Sequence, residues 1–323
     1  MPVLDKRQQH AKALARMSSI SPSQGLAHAA LHTIAIFGLA GAAIVFWDKD
    51  LRLAMIVSVP LAIFYTAVLV TGHDCIHRTF TGIKKFDDNW PLFWSWVIYW
   101  PQSTYKELHL LHHALLGRDL MDPERPTFTR SEFEEAGLLR RWYIQHQWLV
   151  NIFVFAGIGF IAKHWMAARR LRERYPQLVP AMRKDLIGIS IAFLVQFSLA
   201  LYFNFPGEYL ITYFVVERIS GGLLQMRALA EHYGLWEARH DNETYRLAMS
   251  CRNIKASWFT RWLFNDLCFH SIHHVYPSIP WYKLGEAHLT LPAYWDGVNV
   301  KAIEPRNSYL KTMGDGVRSW RVL

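Results

Sequence analysis

From Met17 to Trp47 the chain contains no Asp, Glu, Lys or Arg. Its later part, Ala29–Trp47, is long enough to cross a bilayer as a helix, the form that satisfies every backbone group in lipid from within. The charged turn Asp48-Lys49-Asp50 separates it from a second uncharged run, Leu53–Gly72, in which Pro60 is expected to kink the helix without ending it. A third run, Leu186–Phe203, and a fourth, Tyr209–Met226, are joined by Asn204-Phe205-Pro206-Gly207. The fold expected is all-α and integral to a membrane, with about four spans in two hairpins and a helical cap.

Composition agrees with this and removes other classes. Hydrophobic residues make up 52% and charged residues 19%, with 14 Trp, which is too apolar for a disordered chain. Cys75, Cys251 and Cys268 make no paired framework, so a disulfide-built secreted scaffold is excluded. The net charge of +9 flanks Trp- and Tyr-rich apolar segments, which suits a lipid surface, and no nucleic-acid partner is expected. Lys6, Arg7, Lys12 and Arg16 precede no short apolar core with a cleavage site, so the N-terminus does not read as a signal peptide.

Two shorter apolar stretches bear on topology. Trp90–Pro101 is about half a membrane thick and reads as interfacial or re-entrant. Trp148–Ala162 is also short, and Lys163, Arg169, Arg170, Arg172, Arg174, Arg183 and Lys184 follow it, a basic loop that the positive-inside rule places in the cytoplasm. If Trp148–Ala162 does not cross, this loop and every histidine cluster share one face, and that arrangement is adopted. The chain then reads as one unit over 1–323. Its parts are a first hairpin at 28–72, a cytoplasmic or interfacial segment at 73–185, a second hairpin at 186–226 and a cytoplasmic segment at 227–323. The expected location is multi-pass in a bacterial inner membrane.

Sixteen histidines carry the functional argument. His73 and His77, spaced i, i+4, share one helix face where the second span emerges, so both can reach one metal. His109-Leu110-Leu111-His112-His113 and His270-Ser271-Ile272-His273-His274 both read HxxHH, which turns rings to two sides of a helix and can serve two neighbouring metals. His232 stands alone just past the fourth span, on the same side. His28 and His32 read as interfacial anchors, and His10, His146, His164, His240 and His288 as ordinary surface or interface residues. The candidate ligands are thus His73, His77, His109, His112, His113, His232, His270, His273 and His274, too many for one ion and suited to two. Imidazole alone does not choose among Zn, Cu, Fe and Ni. The lack of Cys ligands speaks against iron–sulfur, and the lack of an acidic loop against calcium. Cys75 and Cys268 read as helix-packing residues.

With these boxes in this order and membrane setting, the chain resembles the membrane-bound fatty acid desaturase and hydroxylase superfamily. The resemblance covers about His73 to Leu284 and is strongest at His73–Phe80 and at His270–Pro280, with its ending Tyr276-Pro277-Ser278-Ile279-Pro280. It implies a non-haem diiron centre held by the nine histidines, O2 as co-substrate, a fatty acyl chain reached from the membrane and a separate electron donor. The acyl group could be free, or bound to CoA, carrier protein or lipid. Two departures stand out: Ala228 occupies the place where some acyl-CoA desaturases carry an Asn, and Glu231-His232-Tyr233-Gly234-Leu235 is similar to a signature of alkane hydroxylases. Desaturation is the leading reading. Hydroxylation of a fatty acid or alkane, and decarboxylation to a terminal alkene, are the alternatives within the superfamily. Outside it stand a His-rich metal transporter, whose ligands would lie mid-membrane, and a bis-His haem protein, which would need His pairs on facing spans.

Breaking an unactivated C–H bond needs a strong oxidant made from O2 at the metals. An all-imidazole set leaves the metal charge uncompensated, so carboxylates are expected behind the rings. Asp266, four residues before His270, is the first candidate, followed by Glu231 and Asp74. Glu217 and Arg218 inside the fourth span serve either a substrate tunnel or helix packing. The chain carries no flavin, haem or Fe–S signature, so a donor such as ferredoxin or cytochrome b5 is expected to dock on the cytoplasmic face, at the basic loop Lys163–Lys184.

Overall fold

The computed structural model describes residues 5–47, 49–236 and 241–323, and every regular element among them is helical. Asp48 in the first charged turn, and His240, lie outside the described residues. After α1 (Lys6–Met17) come α2 (Pro22–Trp47) and α3 (Leu51–Ile76), packed side by side as the first hairpin. Asp50 caps α3 by accepting from the Arg52 N–H at 2.8 Å, and α3 runs through Pro60 without ending. Ser58, Thr66 and Thr71 are buried in α3, and each hydroxyl donates to a carbonyl four residues back, so none is left unpaired in the apolar interior. The second hairpin is α9 (Leu178–Tyr202) and α10 (Pro206–His232). Ile34, Ile56 and Leu194 turn 71%, 63% and 62% of their surface outward, the apolar face a helix presents to lipid.

By length and composition, four helical runs are apolar enough to cross a membrane: Pro22–Trp47, Leu51–Ile76, Leu138–Leu171 and Leu178–Tyr202. Three contain expected spans. The third is different, because the expected fourth span forms most of the 27-residue α10, where Glu217 and Arg218 interrupt the apolar pattern. The stretch Trp148–Ala162, expected to be short, is the middle of a 34-residue run made of α7 (Leu138–Leu149), a π-helical segment (Val150–Phe155) and α8 (Ala156–Leu171).

That run is bent. Ala156 takes φ 42°, a left-handed value unfavourable for a residue with a Cβ, and the chain reverses there. On the first leg, Trp148 packs on Tyr233 with ring centroids 5.5 Å apart, beside the end of α10. On the second leg, Phe160 stacks on Trp100 at 5.0 Å, and His164 reaches Tyr105 at 5.1 Å. The bend rests against the middle of α10, where Gly157 and Gly221 approach so closely that neither position has room for a Cβ. Both legs therefore return to the end of α10 that carries His232, and the run enters and leaves the bundle on one side.

Glu217 and Arg218 explain the bend. Breaking a helix strands amides at the start of one leg and carbonyls at the end of the other. Glu217 accepts the Ile158 N–H, while Arg218 donates to the carbonyls of Val154 at 2.6 Å and Phe155 at 2.8 Å and pairs with Glu217. Of the two roles left open for this pair, the structure shows helix packing.

Around the returning end lie the shorter helices. α4 (Lys84–Val97) holds most of the Trp-rich stretch and, at 14 residues, is too short to cross; it packs on α3 and α9. α5 (Gln102–Leu115) lies against α8 and α9. After the single turn α6 (Arg130–Glu134) and the bent run, α11 (Glu243–Met249), α12 (Trp258–Leu263), α13 (His270–Val275), α14 (Leu284–Thr290) and α15 (Tyr309–Arg318) close the cap. α15 packs on α7 and α10, and α11 on α13. All three native cysteines are buried, so introduced ones can be labelled selectively. Cysteines placed at Arg172 and at Glu208 are expected to react with an impermeant maleimide from opposite sides of the membrane. With the histidine-bearing end on the cytoplasmic side, labelling of Arg172 from the outside would require Leu138–Leu171 to cross.

Candidate metal centre

Four helix ends converge. His73 lies in the last turn of α3 and His77 caps it, α5 carries the middle box, His232 ends α10 and His270 begins α13. The donor atoms of His73, His77, His109, His113 and His273 lie within 4.8 Å of one another, and those of His232, His270, His274 and Cys251 form a second such group. Each HxxHH box is divided as helical geometry requires. His109 and His113 face the first group and His112 turns toward the second, its ring 4.8 Å from His232 and 5.0 Å from His274. His270 and His274 face the second group and His273 the first. All nine expected histidines are brought together.

The nitrogens are set for a cation. His109 Nε2 lies 3.1 Å from Nε2 of both His77 and His113, and His113 Nε2 is 3.2 Å from that of His273. His270 Nε2 stands 2.8 Å from His232 Nε2 and 3.1 Å from His274 Nε2. Behind the rings, Nδ1 of His109 meets Glu124 at 3.0 Å, Nδ1 of His112 meets both Asp122 oxygens at 2.9 and 3.0 Å, and Nδ1 of His73 meets Asp74 at 3.2 Å. His232 Nδ1 lies 3.3 Å from the Ser250 carbonyl. These oxygens only accept, so Nδ1 carries the proton and Nε2 presents its lone pair inward. Two lone pairs cannot hydrogen-bond to each other, so nitrogens gathered in this way have no means of pairing among themselves. His73 Nε2 and His112 Nε2 are buried with no hydrogen-bond partner at all. Two imidazole nitrogens about 2.1 Å from one ion, at right angles, would sit roughly 3 Å apart, the spacing found here. The donor set therefore fits two metal ions.

Burial and charge sharpen this. Burial pushes His113, His270, His273 and His274 well below the ordinary histidine range, and neighbouring rings add to the effect, so these imidazoles are neutral donors. For Glu124, burial pushes upward but is outweighed by His109 and His112, which hold it well below the usual carboxylate range. For His112, burial pushes downward and Asp122 with Glu124 reverse it, leaving a raised value. Asp74, Asp122, Glu124 and Glu231 surround the centre, and His109 and His112 hold Glu124 in its charged form. Glu231 accepts from Arg227 at 3.0 Å and Tyr309 at 2.8 Å, with its other oxygen 3.4 Å from His270 Nδ1.

Some expectations need correction. Asp266 does not support His270: Asn265 and Asp266 take φ 47° and 52°, no helix joins them to α13, and Arg261 holds the Asp266 carboxylate at 2.5 and 2.8 Å. The i, i+4 inference assumed a helix that begins only at His270. His28 and His32 are not interfacial; they are 8% and 0% exposed, with Trp281 packed on His28 and Trp262 near His32. His164 is buried against Phe160 and Tyr105. The reading of the sequence missed Asp122 and Glu124, which lie ten and fifteen residues beyond the histidines they meet, in a loop with no periodicity to mark them. It also missed Asn265, whose amide donates to Asp74 at 2.7 Å.

Replacing Asp122 by Asn or Glu124 by Gln is expected to lower metal affinity about 10- to 100-fold, read by competition with a chelator, while Asp266→Asn leaves it unchanged. Replacing any of the nine histidines by Ala is expected to lower the metal content of the purified protein, whereas His10→Ala does not. Full metal content in His232→Ala would remove that residue from the centre.

Comparison with known proteins agrees with this geometry. The chain is 23% identical over 299 residues to the fatty acid desaturase of Bacillus subtilis (strain 168), covering 88% of this chain and 82% of that one. It is 24% identical over 236 residues to an sn-2 acyl-lipid omega-3 desaturase (ferredoxin), chloroplastic, of Helianthus annuus, covering 69% of this chain and 52% of the relative. An sn-1 oleoyl-lipid 12-desaturase of Arthrospira platensis is 23% identical over 237 residues, at 68% and 62%. The family model described as fatty acid desaturase matches residues 50–304. On that match, which holds both hairpins' histidine-bearing ends and the cap between them, the chain belongs to the fatty acid desaturase family.

Proposed function

We propose that this protein is a diiron oxidoreductase that uses O2 to desaturate a fatty acyl chain, with its metal centre on the cytoplasmic face. The observation that carries the reading is the convergence of nine buried imidazoles into two adjacent groups, backed by Asp74, Asp122, Glu124 and Glu231. A haem does not fit, since its two ligands would approach one plane from opposite sides. Mid-membrane transport does not fit, since the donors sit at helix ends. Two irons held by the nine histidines would supply the O2 activation for removing two hydrogens from adjacent carbons, the balance being O2, two electrons, two protons and –CH2–CH2– to –CH=CH– and two waters.

The residues of the chain set up the rest. Asp74, Asp122 and Glu124 lock their histidines in the tautomer that donates inward. Leu69, Val70, Trp100, Phe160 and Leu224 form one wall of a small space of about 30 Å³ whose other wall carries His109, His232, His270, Glu124, Arg227 and Glu231, and the apolar wall keeps bulk water from the reacting carbons. A separate cavity of about 300 Å³, bounded by Leu61, Tyr65, Ile98, Tyr213 and Val216, lies between α3 and α10 and reaches Asn204 and Glu208 at the other end of the bundle. It offers room for the tail of a chain whose middle lies at the metals. Mass spectrometry of lipids and free fatty acids from cells with and without the protein is expected to show an acyl species lighter by two hydrogens. A gain of one oxygen would indicate hydroxylation instead, and a terminal alkene decarboxylation.

The two electrons come from a separate donor, and ferredoxin, named for the Helianthus annuus relative, has the right chemistry. Arg169 and Arg170 lie exposed in the last turn of α8 and Arg172 caps it, and Arg174 pairs with Asp119 at 2.9 Å, in the loop that also carries Asp122 and Glu124. The basic segment therefore stands next to the residues that orient the metal ligands, where an acidic carrier would be steered. Reversing Arg169, Arg170 and Arg172 to Glu is expected to slow donor-dependent turnover, most at low ionic strength, with metal content unchanged. Unaltered rates across a salt series would assign this segment to anionic lipid.

A further inference from the structure

The three thiols have different surroundings. Cys75 packs with Ala29 and Phe80 in an apolar cluster, and Cys268 Sγ donates to the Asp266 carbonyl at 3.7 Å. Cys251 does neither. It is 6% exposed, and its Sγ lies within 4.8 Å of the donor atoms of His232, His270 and His274. His112 Nε2, buried and unpartnered, belongs to a ring standing 4.8 Å from that of His232.

The placement of Cys251 is built into the cap. On one side, the Ser250 carbonyl meets His232 Nδ1 at 3.3 Å, and the Arg252 N–H donates to the Glu231 carbonyl at 2.8 Å. On the other, Ser271 Oγ donates to the carbonyls of Ala248 at 2.9 Å and Cys251 at 3.5 Å, while Asn253 Oδ1 accepts from the Ser271 N–H at 2.8 Å. The segment is thus clamped between the end of α10 and the start of α13, the two elements that carry His232, His270 and His274. A residue held this way has little freedom to turn its side chain elsewhere.

We propose that Cys251 supplies a sulfur donor to the second metal position. That position would then have His112, His232, His270, His274 and one thiol, five donors against the five imidazoles of the first group. The inference rests on the reading of a two-metal centre. On binding, the S–H bond is exchanged for a metal–sulfur bond and the proton leaves to the solvent, so no oxidant or reductant is needed. The thiolate adds one negative charge to the second position alone. The two metals become electronically distinct, the second more strongly compensated than the first.

Metal-free full-length protein, titrated with Co2+ in detergent or nanodiscs, tests this without relying on turnover. Two equivalents are expected to bind, with a sulfur-to-cobalt charge-transfer band in the near ultraviolet that grows with only one of them. The band is expected to disappear in Cys251→Ser, with two cobalt ions still bound, and to persist in Cys75→Ser and Cys268→Ser. Two bound cobalt ions and no charge-transfer band in the unsubstituted protein would overturn the proposal while leaving the two-metal centre standing. A band that survives Cys251→Ser would overturn it as well. Failure to bind two equivalents would defeat the two-metal reading, and this inference with it.

Discussion

The structure depends on the repulsion among imidazole lone pairs collected in one buried place. With Nδ1 of His73, His109, His112 and His232 committed to oxygen acceptors, their Nε2 atoms point toward one another rather than toward water. Neutral nitrogens gathered at this spacing destabilise the fold unless positive charge lies among them. Metal bound among these nitrogens would therefore be coupled to folding of the cap, because the helices that supply the donors also make up its core. Ile272 and Leu267, both fully buried, pack in the same cluster as Leu229 and Ala230 of α10.

The acidic residues offset this charge in a graded way. Asp122 and Glu124 come from a loop rather than from the bundle, and so can approach α5 from outside. Asp74 and Glu231 come from the spans themselves and are tethered, Asp74 by Asn265 and Glu231 by Arg227 and Tyr309. Asp74 and Glu231 thus each have a partner besides histidine, which fixes where the carboxyl group sits. The left-handed turn at Asn265 and Asp266 is what allows Asn265 to reach back to α3 while Asp266 faces outward to Arg261.

The same logic of paired charges governs the membrane half. A bent helical run inside an apolar bundle exposes amides and carbonyls at its break, at a cost of several kcal/mol for each one left unpaired. Glu217 and Arg218 meet those groups from α10, and in doing so lower the hydropathy of a helix that otherwise has the length to cross. The bend in turn carries Phe160 and His164 back against Trp100 and Tyr105, next to the metal chamber.

Three of the expected spans, the helical class and the grouping of nine histidines were legible in the chain. Each is a local property: uncharged length gives a span, and i, i+4 spacing gives a shared face whatever surrounds it. Glu231 was legible too, because it adjoins His232. Asp122 and Glu124 were not, since which loop carboxylate meets which ring depends on how the loop after α5 folds back. Asp266 was misread because local spacing implies a shared face only where a helix exists. The course of Leu138–Leu171 needed the third dimension as well, for an apolar run of that length is compatible with crossing or with turning back. The choice lies with Glu217, Arg218 and the two glycines facing each other across the bend. Cys251 is the same case: in sequence it is an isolated thiol, and only the clamp between α10 and α13 brings it to the second group of nitrogens. The sequence by itself determined which residues could bind metal and which helices could lie in lipid, because those are properties of composition and period. Tertiary structure decided which carboxylate supports which ring and where the bent run turns, because long-range contacts leave no period in the chain.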